Sequence, residues 1–244
     1  MKKNEKILEL YNQGLTNKEI KELTGFDDST IRWGINKNGL KSRKYSLKKY
    51  DHEFYEFVLG TMLGDSSMAN GFNSRMSIGH GLKQKDYCEY KHKFFNKYDL
   101  AGKISEYTQK NDRYKNGECT TIGFRTLTNP VFTKLYDKFY KDKIKIVPDE
   151  DYLHEFLTPF SLSIWFGDDG STCSYSQLEI ATESFSDGEV NRLRYILLEK
   201  YGIKTTNYKN IIRIRAQSVP FFKSLIGEYL LESLHYKLFP KKYK

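Results

Sequence analysis

The fold is decided by two nine-residue stretches, Val58-Leu59-Gly60-Thr61-Met62-Leu63-Gly64-Asp65-Ser66 and Leu162-Ser163-Ile164-Trp165-Phe166-Gly167-Asp168-Asp169-Gly170. Each is an apolar run with aspartate at its eighth position, and the second aspartate stands 104 residues after the first. Gly64 is the seventh residue of the first stretch and Gly167 the sixth of the second, and a missing Cβ near the acidic end lets two helices approach closely. The stretches therefore predict two packed helices with Asp65 and Asp169 at one end of the pair.

The segments after each stretch also match one another, which indicates a duplicated unit. A strand follows each time, RMSIGHG in the first half and QLEIATES in the second, and an amphipathic helix comes next, at 87–98 and 187–201. TTIGFRTLTNPVFTKL then corresponds to IIRIRAQSVPFFKSL. The prediction is an α+β fold of two αββαββα repeats, 47–140 and 141–244, related by a pseudo-two-fold that suits duplex DNA.

Residues 1–46 predict a separate domain of three short helices. Thr16 with Glu19 has the pattern of a capping box for the second helix, which Gly25 ends, and Asp28 or Ser29 is the expected cap of the third. This order is similar to a small helix-turn-helix whose last helix enters the major groove. The DNA-contacting candidates on that helix are Ser29, Arg32, Trp33 and Lys37. A three-helix cap without a binding role is the alternative, and residues 40–50 are interpreted as a basic linker.

Charge and composition limit the function classes. The chain carries a net charge of +9, and residues 1–50 alone hold 12 Lys or Arg against 6 Asp or Glu. This favours a polyanionic partner, although it does not choose between DNA, RNA and a membrane surface. No stretch approaches the roughly 20 apolar residues of a membrane span, so we expect an intracellular protein in a cytoplasm, an organelle or a phage-infected cell. The three cysteines lack disulfide or zinc spacing and are expected to be buried free thiols.

The two acids predict a metal site. Two carboxylates brought together repel each other unless a hard divalent cation lies between them, and oxygen ligands favour Mg²⁺, with Mn²⁺ as a substitute. Such ions assist the hydrolysis of phosphodiesters. We assign Gly64 and Asp168, which precede the two acids, to the same set, Asp168 as a supporting or structural group because the first repeat has glycine there. Either acid alone would more often be a cap or a salt-bridge partner.

These motifs resemble the single-chain LAGLIDADG homing endonucleases, in particular the branch whose second motif has the Trp-Phe-x-Asp-Asp-Gly form. The resemblance covers residues 51–240. It implies a DNA-binding saddle of two four-stranded antiparallel sheets and a monomer that makes a double-strand break at a specific site, as in intron homing. It also implies active-site lysines at Lys145 and Lys237, for which a solvated surface lysine is the alternative. Ile164 and Ser66 depart from the glycines of the motif, which puts the helix packing in doubt.

Alternation along the strands predicts the residues that face DNA. In 212–217 the apolar side chains fall on one face and the polar ones on the other, and the same logic applies to the matching strands of the first repeat. Arginine and glutamine donors suit guanine and adenine edges. The candidates are Arg75, Ser77, Arg125, Arg213, Arg215 and Gln217.

Two other functions stay open within the same fold: an RNA maturase acting on intron RNA, and a transcription regulator that binds DNA without cutting it. Retention of both acids favours the nuclease over the regulator, whereas maturase activity is compatible with it. No phosphate loop or nucleophile motif supports a small-molecule enzyme. His80, His92 and His235 show no metal-ligand spacing and are expected to have ordinary structural roles.

Overall fold

The computed structural model describes residues 3–13, 15–40, 50–110, 117–174 and 177–239, apart from the side chains of Cys173 and Ser174. Most of the predicted basic linker, residues 41–49, lies outside the described residues. The chain divides into two compact units, Met1–Asp51 with Asn129–Val131 and His52–Thr128 with Phe132–Lys244.

The smaller unit contains three helices, α1 (Lys3–Asn12), α2 (Asn17–Thr24) and α3 (Asp28–Asn36). They enclose a core of Ile7, Leu10, Leu15, Ile20, Ile31 and Ile35. The capping box of Thr16 and Glu19 is present, and Gly25 ends α2 with a φ of +69°. The predicted cap of α3 is wrong by a residue or two, because Asp27 has the extended backbone of a cap and accepts the amide hydrogen of Thr30 at 2.8 Å.

The larger unit contains both repeats in the predicted order. The first repeat consists of α4 (His52–Leu63), β1 (Ser67–Ala69), β2 (Arg75–Gly81), α5 (Lys85–Asn96), β3 (Ser105–Lys110), β4 (Glu118–Arg125) and α6 (Pro130–Phe139). A short hairpin and one helix follow: β5 (Tyr140–Lys141), β6 (Ile144–Lys145) and α7 (Glu150–Phe156). The second repeat consists of α8 (Pro159–Asp169), β7 (Gly170–Ser174), β8 (Gln177–Ala181), α9 (Asp187–Tyr201), β9 (Thr205–Tyr208), β10 (Ile211–Ile214) and α10 (Val219–Ile226), and α11 (His235–Leu238) comes after it. The α+β class and the αββαββα repeats are therefore confirmed.

The two sheets share one topology. The strand orders are β1-β2-β4-β3 and β7-β8-β10-β9, and all pairs are antiparallel. Along β2 and β8 every second residue is buried, because one face of each sheet is covered by helices that include α5 and α9. The opposite face of each sheet carries Arg75 and Ser77 of β2 and Gln177 and Glu179 of β8.

The motif helices α4 and α8 pack against each other in the middle of the larger unit. Both are buried around most of their circumference, with Phe57, Leu59, Trp165 and Phe166 among the fully buried residues. No helix of the described residues is long and apolar enough to cross a membrane. Cys88 is a buried free thiol as expected, whereas the free thiol of Cys119 is only half-buried.

Candidate active site

Glycines set the distance between the two motif helices. A Cβ on Gly60 would lie 2.4 Å from the carbonyl oxygen of Ser161, and one on Gly64 would lie 2.3 Å from Oδ2 of Asp168. Both contacts are closer than atoms can approach, so α4 and α8 touch because these side chains are missing. Gly167 has another role from the one predicted, because its missing Cβ makes room for the Tyr87 hydroxyl of α5, which lies 2.7 Å from the Cβ position.

The close packing brings the two predicted acids together. Asp169 is the last residue of α8, and Asp65 lies just past the end of α4. Burial, followed by the negative charges of Asp65 and Asp168, raises the pKa of Asp169 to about 7. Both helices also direct their C-terminal carbonyl groups, the negative ends of their dipoles, at this place. The arrangement concentrates negative charge and oxygen atoms, which is the donor set that divalent cations prefer.

Two lysines lie against the carbonyl groups at the helix ends. Lys145 Nζ donates to the carbonyl oxygens of Gly64 and Ser66 at 2.7 and 2.9 Å. Lys237 Nζ donates to those of Gly167 and Asp168 at 2.7 and 2.8 Å. Burial lowers the pKa of both lysines, although the nearby carboxylates act in the opposite direction. The two lysines thus occupy matching places, one at the end of each motif helix.

Asp168 has a partner that sequence reasoning missed. Its two carboxylate oxygens accept hydrogen bonds from Lys91 Nζ at 2.6 and 2.8 Å, and both side chains are fully buried. Lys91 also donates to Thr61 Oγ1 at 2.8 Å, and Asp168 Oδ2 accepts the amide hydrogen of Asp65 at 3.3 Å. This ion pair therefore ties α5 to the ends of both motif helices. The available signal was a lysine on the apolar face of α5, between Cys88 and Phe95.

His80 also lies at this site, although it was expected to have an ordinary structural role. Its Nδ1 is 3.6 Å from Asp65 Oδ2, and its ring packs against Tyr87 at 4.9 Å between ring centroids. Burial, followed by the positive charge of Lys91, lowers the pKa of the imidazole to about 3. Side-chain ligand atoms of Asp65, His80 and Asp168 lie within 4.8 Å of one another. The signal in the sequence was a histidine that alternates with Met76 and Ile78 and so shares the buried face of β2 with them.

The predicted DNA-reading residues of the first repeat share one face of their sheet. Ser77 of β2 is paired with Arg125 of β4, and Arg75 lies two residues before Ser77 on the same strand. Arg125 is exposed, and Arg75 and Ser77 are partly so. These three side chains therefore present donors on the face that the helices leave open.

The second repeat departs from the prediction. Arg213 lies on the open face but forms a salt bridge with Glu179 at 3.2 Å and lies 3.9 Å from the centre of the Tyr208 ring. Strand β10 ends at Ile214, and the amide of Ser218 donates to the carbonyl of Arg215 in a 3-10 turn, Ala216–Ser218. The prediction that Arg215 and Gln217 continue the strand alternation is wrong, because the chain turns there into α10.

The candidates of the smaller unit lie on or next to α3. Arg32 and Trp33 are exposed, Trp33 to 59%. Lys37, one residue past α3, places its ammonium 4.7 Å from the centre of that ring. Ser29 Oγ donates to Asp27 Oδ1 at 2.5 Å, which ties this hydroxyl to the helix cap.

Fold and site together define a class: a two-repeat α+β protein in which each repeat contributes one acidic helix end to a shared centre. The model of the LAGLIDADG DNA endonuclease family matches residues 55–222, from α4 into α10. The chain belongs to this family, because the match covers more than half of its length.

Curated relatives extend the comparison. A protein named "Protein RecA" from Mycolicibacterium flavescens is 30% identical over 211 residues, 77% of this chain and 46% of the relative. "Cytochrome b mRNA maturase bI2" from Saccharomyces cerevisiae is 27% identical over 241 residues, 90% of this chain and 55% of the relative. The protein of the same name from Debaryomyces hansenii is 27% identical, with 78% and 75% coverage. The chain spans about half the length of the first two.

A solved structure has the same fold. "The homing endonuclease I-WcaI bound to its DNA recognition sequence" superposes with a TM-score of 0.70 and covers 89% of this chain and 96% of its own. Because the sequence identity is only 24%, this likeness shows a shared fold alone.

Proposed function

We propose that this chain is a monomeric, site-specific homing endonuclease that makes a double-strand break in DNA by hydrolysing one phosphodiester bond in each strand. The observation that carries the proposal is the convergence of Asp65, Asp169, Lys145 and Lys237 at the ends of two packed helices. Because a single chain supplies both acids, no second subunit is needed to complete the centre.

Divalent cations, Mg²⁺ with Mn²⁺ as a substitute, are the proposed cofactors. Asp65 and Asp169 would hold them, with the Gly64 carbonyl as a further oxygen and Asp168 as a support for the Asp65 amide. The raised pKa of Asp169 fits this role, because a cation between the carboxylates would relieve their repulsion. When bound, the cations supply positive charge that stabilises the attacking and leaving oxygens of the phosphodiester.

The lysines are the proposed catalytic partners of the acids. Lys145 and Lys237 donate hydrogen bonds to the carbonyl oxygens at the helix ends and offset their partial negative charge. They also add positive charge where the scissile phosphates would lie. Water would attack phosphorus in line with the 3′ oxygen, which leaves with a proton as a 3′ hydroxyl, and a 5′ phosphate remains. The two matching centres would act on one strand each.

Duplex DNA is the proposed partner, bound on the open faces of the two sheets. Arg75, Ser77 and Arg125 would contact base edges in one half-site and Arg213 in the other, with Arg215 and Gln217 reaching the duplex from the turn after β10. The domain at 1–46 would bind an adjacent major groove through Ser29, Arg32, Trp33 and Lys37. The excess of basic residues in 1–50 favours phosphate contacts there.

The test begins with cleavage selection on genomic or randomised DNA in Mg²⁺, which identifies a target. Asp65→Asn and Asp169→Asn should then each abolish double-strand cleavage while binding stays within about tenfold, because asparagine keeps the size but loses a charged metal ligand. Asp151→Asn, at an exposed acid of α7, is the matched control and should cut normally. Full cleavage by either site variant would contradict the assignment, and binding without any cleavage would point to a regulator.

Maturase activity is a second candidate, favoured by the two yeast relatives whose names describe cytochrome b mRNA maturases. A maturase binds intron RNA and assists its folding without cutting DNA. Splicing of an intron whose flanking exon ends together form the selected target is the discriminating assay. Rescue of splicing by the Asp65→Asn protein would establish this second activity, and its absence would leave the DNA endonuclease alone.

A further inference from the structure

The His80 side chain is buried at the site, yet neither ring nitrogen has a hydrogen-bond partner among the described residues. Its side chain is 1% accessible, and the ring packs against Tyr87. Buried polar atoms in folded proteins almost always have a protein, water or ion partner. In a neutral imidazole one of the two ring nitrogens carries no hydrogen, and its lone pair can bind a metal cation.

The distance from His80 to Asp65 fits a shared ion. Nδ1 and Oδ2 are 3.6 Å apart, which is too long for a hydrogen bond. Two ligands at about 2.1 Å from one ion lie roughly 3.4 Å apart at a tetrahedral angle. Asp168 also lies near this site, but both of its carboxylate oxygens accept hydrogen bonds from Lys91, whose positive charge it balances. Asp65 and His80 therefore remain as the pair of ligands.

The position of the second repeat that matches His80 carries no such nitrogen. The buried positions Met76, Ile78 and His80 correspond to Leu178, Ile180 and Thr182, which are also buried. The Thr182 hydroxyl donates to the carbonyl oxygen of Asn210, so it is engaged on its own side of the sheet. The two halves of the centre therefore differ in ligand chemistry, although their acids match.

We propose that His80 and Asp65 form a mixed nitrogen and oxygen site that binds a transition-metal cation such as Mn²⁺, Co²⁺ or Zn²⁺ in preference to Mg²⁺. Imidazole nitrogen raises affinity for these ions, whereas Mg²⁺ prefers oxygen alone. The Asp169 half, with oxygen ligands only, lacks this preference. The inference rests on the proposed cation site at Asp65 and adds a nitrogen ligand and a metal selectivity to it.

The experiment titrates the full-length protein with Co²⁺, and separately with Mg²⁺, by calorimetry and, for Co²⁺, by visible absorption. His80→Gln and His80→Leu should each weaken Co²⁺ binding at one site by about tenfold or more and shift the Co²⁺ spectrum, while Mg²⁺ affinity changes less than about twofold. Thr182→Val is the matched control from the second repeat and should leave the Co²⁺ titration unchanged. Co²⁺ affinity and spectrum that are the same in both His80 variants would overturn the proposal.

A measurement on the unmodified protein covers the case in which the His80 variants fail to fold. Adding Zn²⁺ should shift the ring nitrogen resonances of His80 in the NMR spectrum, whereas those of His92, whose Nε2 bonds the Gly102 carbonyl, should stay in place. Unshifted His80 resonances at saturating Zn²⁺ would overturn the proposal. Asp65→Asn separates the two levels of inference. If it abolishes metal binding while His80→Gln changes nothing, only the role of His80 fails, and if it leaves all metal binding intact, the proposed cation site fails as well.

Discussion

Two neighbouring acids at the end of α8 have different surroundings. Asp168 is fully buried on Lys91, whereas Asp169 is only half-buried and lies near the Asp65 carboxylate. A buried carboxylate and the ammonium bonded to it stabilise each other. Removing either one leaves the other charge buried without a partner. The two adjacent aspartates therefore differ. Asp168 stabilises the fold, and Asp169 is left for the proposed cation site.

The first prediction concerns the buried ion pair. Lys91→Met should lower the free energy of unfolding by about 3–5 kcal/mol, because Asp168 is left buried without its partner. Lys97→Met, which removes an exposed ion pair with Glu53 beside the same helix, should cost less than about 1 kcal/mol. Urea denaturation of both variants measures the difference. Equal losses would show that burial does not distinguish the two pairs.

A second prediction separates Asp168 from Asp169. Asp168→Asn should reduce stability to chemical denaturation but, under conditions where the protein is folded, should reduce the cleavage rate less than Asp169→Asn. The reason is that only Asp169 has an acid at the matching position of the first repeat, Asp65. Single-turnover cleavage rates of the two variants give the comparison. The opposite ranking would mean that Asp168 is the catalytic acid of the second motif.

At the scale of elements, the centre depends on the contact between α4 and α8. Gly60 and Gly64 allow this contact because they have no side chains. Ile164 stands at the third position of the second motif, where the family motif has glycine. The departure is accommodated because a Cβ on Gly60 would meet Ile164 itself, at 2.8 Å. One bulky residue thus faces one glycine across the interface.

The third prediction tests this packing. Gly60→Ala should destabilise the protein by about 1–3 kcal/mol, because the new methyl group meets the backbone of Ser161 and the side chain of Ile164. Gly188→Ala is the control in α9, where a Cβ has nothing within 4 Å, and it should stabilise by about 0.4–1 kcal/mol. Thermal or urea unfolding of the pair gives both signs. Stabilisation by Gly60→Ala would show that the helices are further apart.

At the scale of the whole molecule, the repeats are symmetric in topology but not in chemistry. The sheets have the same strand order, and each motif helix has its own lysine. The ion pair of Lys91 with Asp168, and His80, have no equivalent in the other half, because Gly64 and Thr182 stand at the matching positions. For the proposed endonuclease, this asymmetry favours a target whose two halves are similar but not identical.

A fourth prediction concerns residues 1–46. Deleting them should weaken DNA binding and shorten the footprint on one side only, because a tethered domain adds affinity through a high effective concentration. The slope of log affinity against log salt should flatten by about 0.9 for each lost phosphate contact, including any from Arg43 and Lys44, which lie outside the described residues. At saturating protein the same bonds should be cut at nearly the full-length rate. An unchanged footprint and salt slope would refute DNA binding by this domain.

A fifth prediction places the contact within that domain. Arg32→Ala, on α3, should weaken binding of the full-length protein to its target. Lys18→Ala, on α2, removes the same charge from an exposed side chain and should have a smaller effect. Both variants are compared by quantitative footprinting at one salt concentration. Equal effects would mean that charge alone, and not a recognition helix, accounts for the contribution of the domain.

The resemblance to the LAGLIDADG family added Lys145 and Lys237 as candidates, whereas the repeats and the two acidic helix ends were predicted from patterns within the chain. These features depend on local periodicity and on the comparison of one half of the chain with the other, both of which are visible without coordinates. The capping box at Thr16 and the α+β order were predicted on the same basis. The end of β10 was not, because alternation alone does not show where a 3-10 turn leads into α10.

The partners of the buried polar groups depend on how distant segments of the chain pack together. Lys91 meets Asp168 across 77 residues, and His80 meets Asp65 because the buried face of β2, which packs against α5, lies beside the end of α4. The salt bridge of Arg213 with Glu179 likewise depends on strand register. The sequence shows that a polar residue lies on an apolar face and therefore needs a partner. It does not show which residue that partner is, because the partner comes from a distant segment.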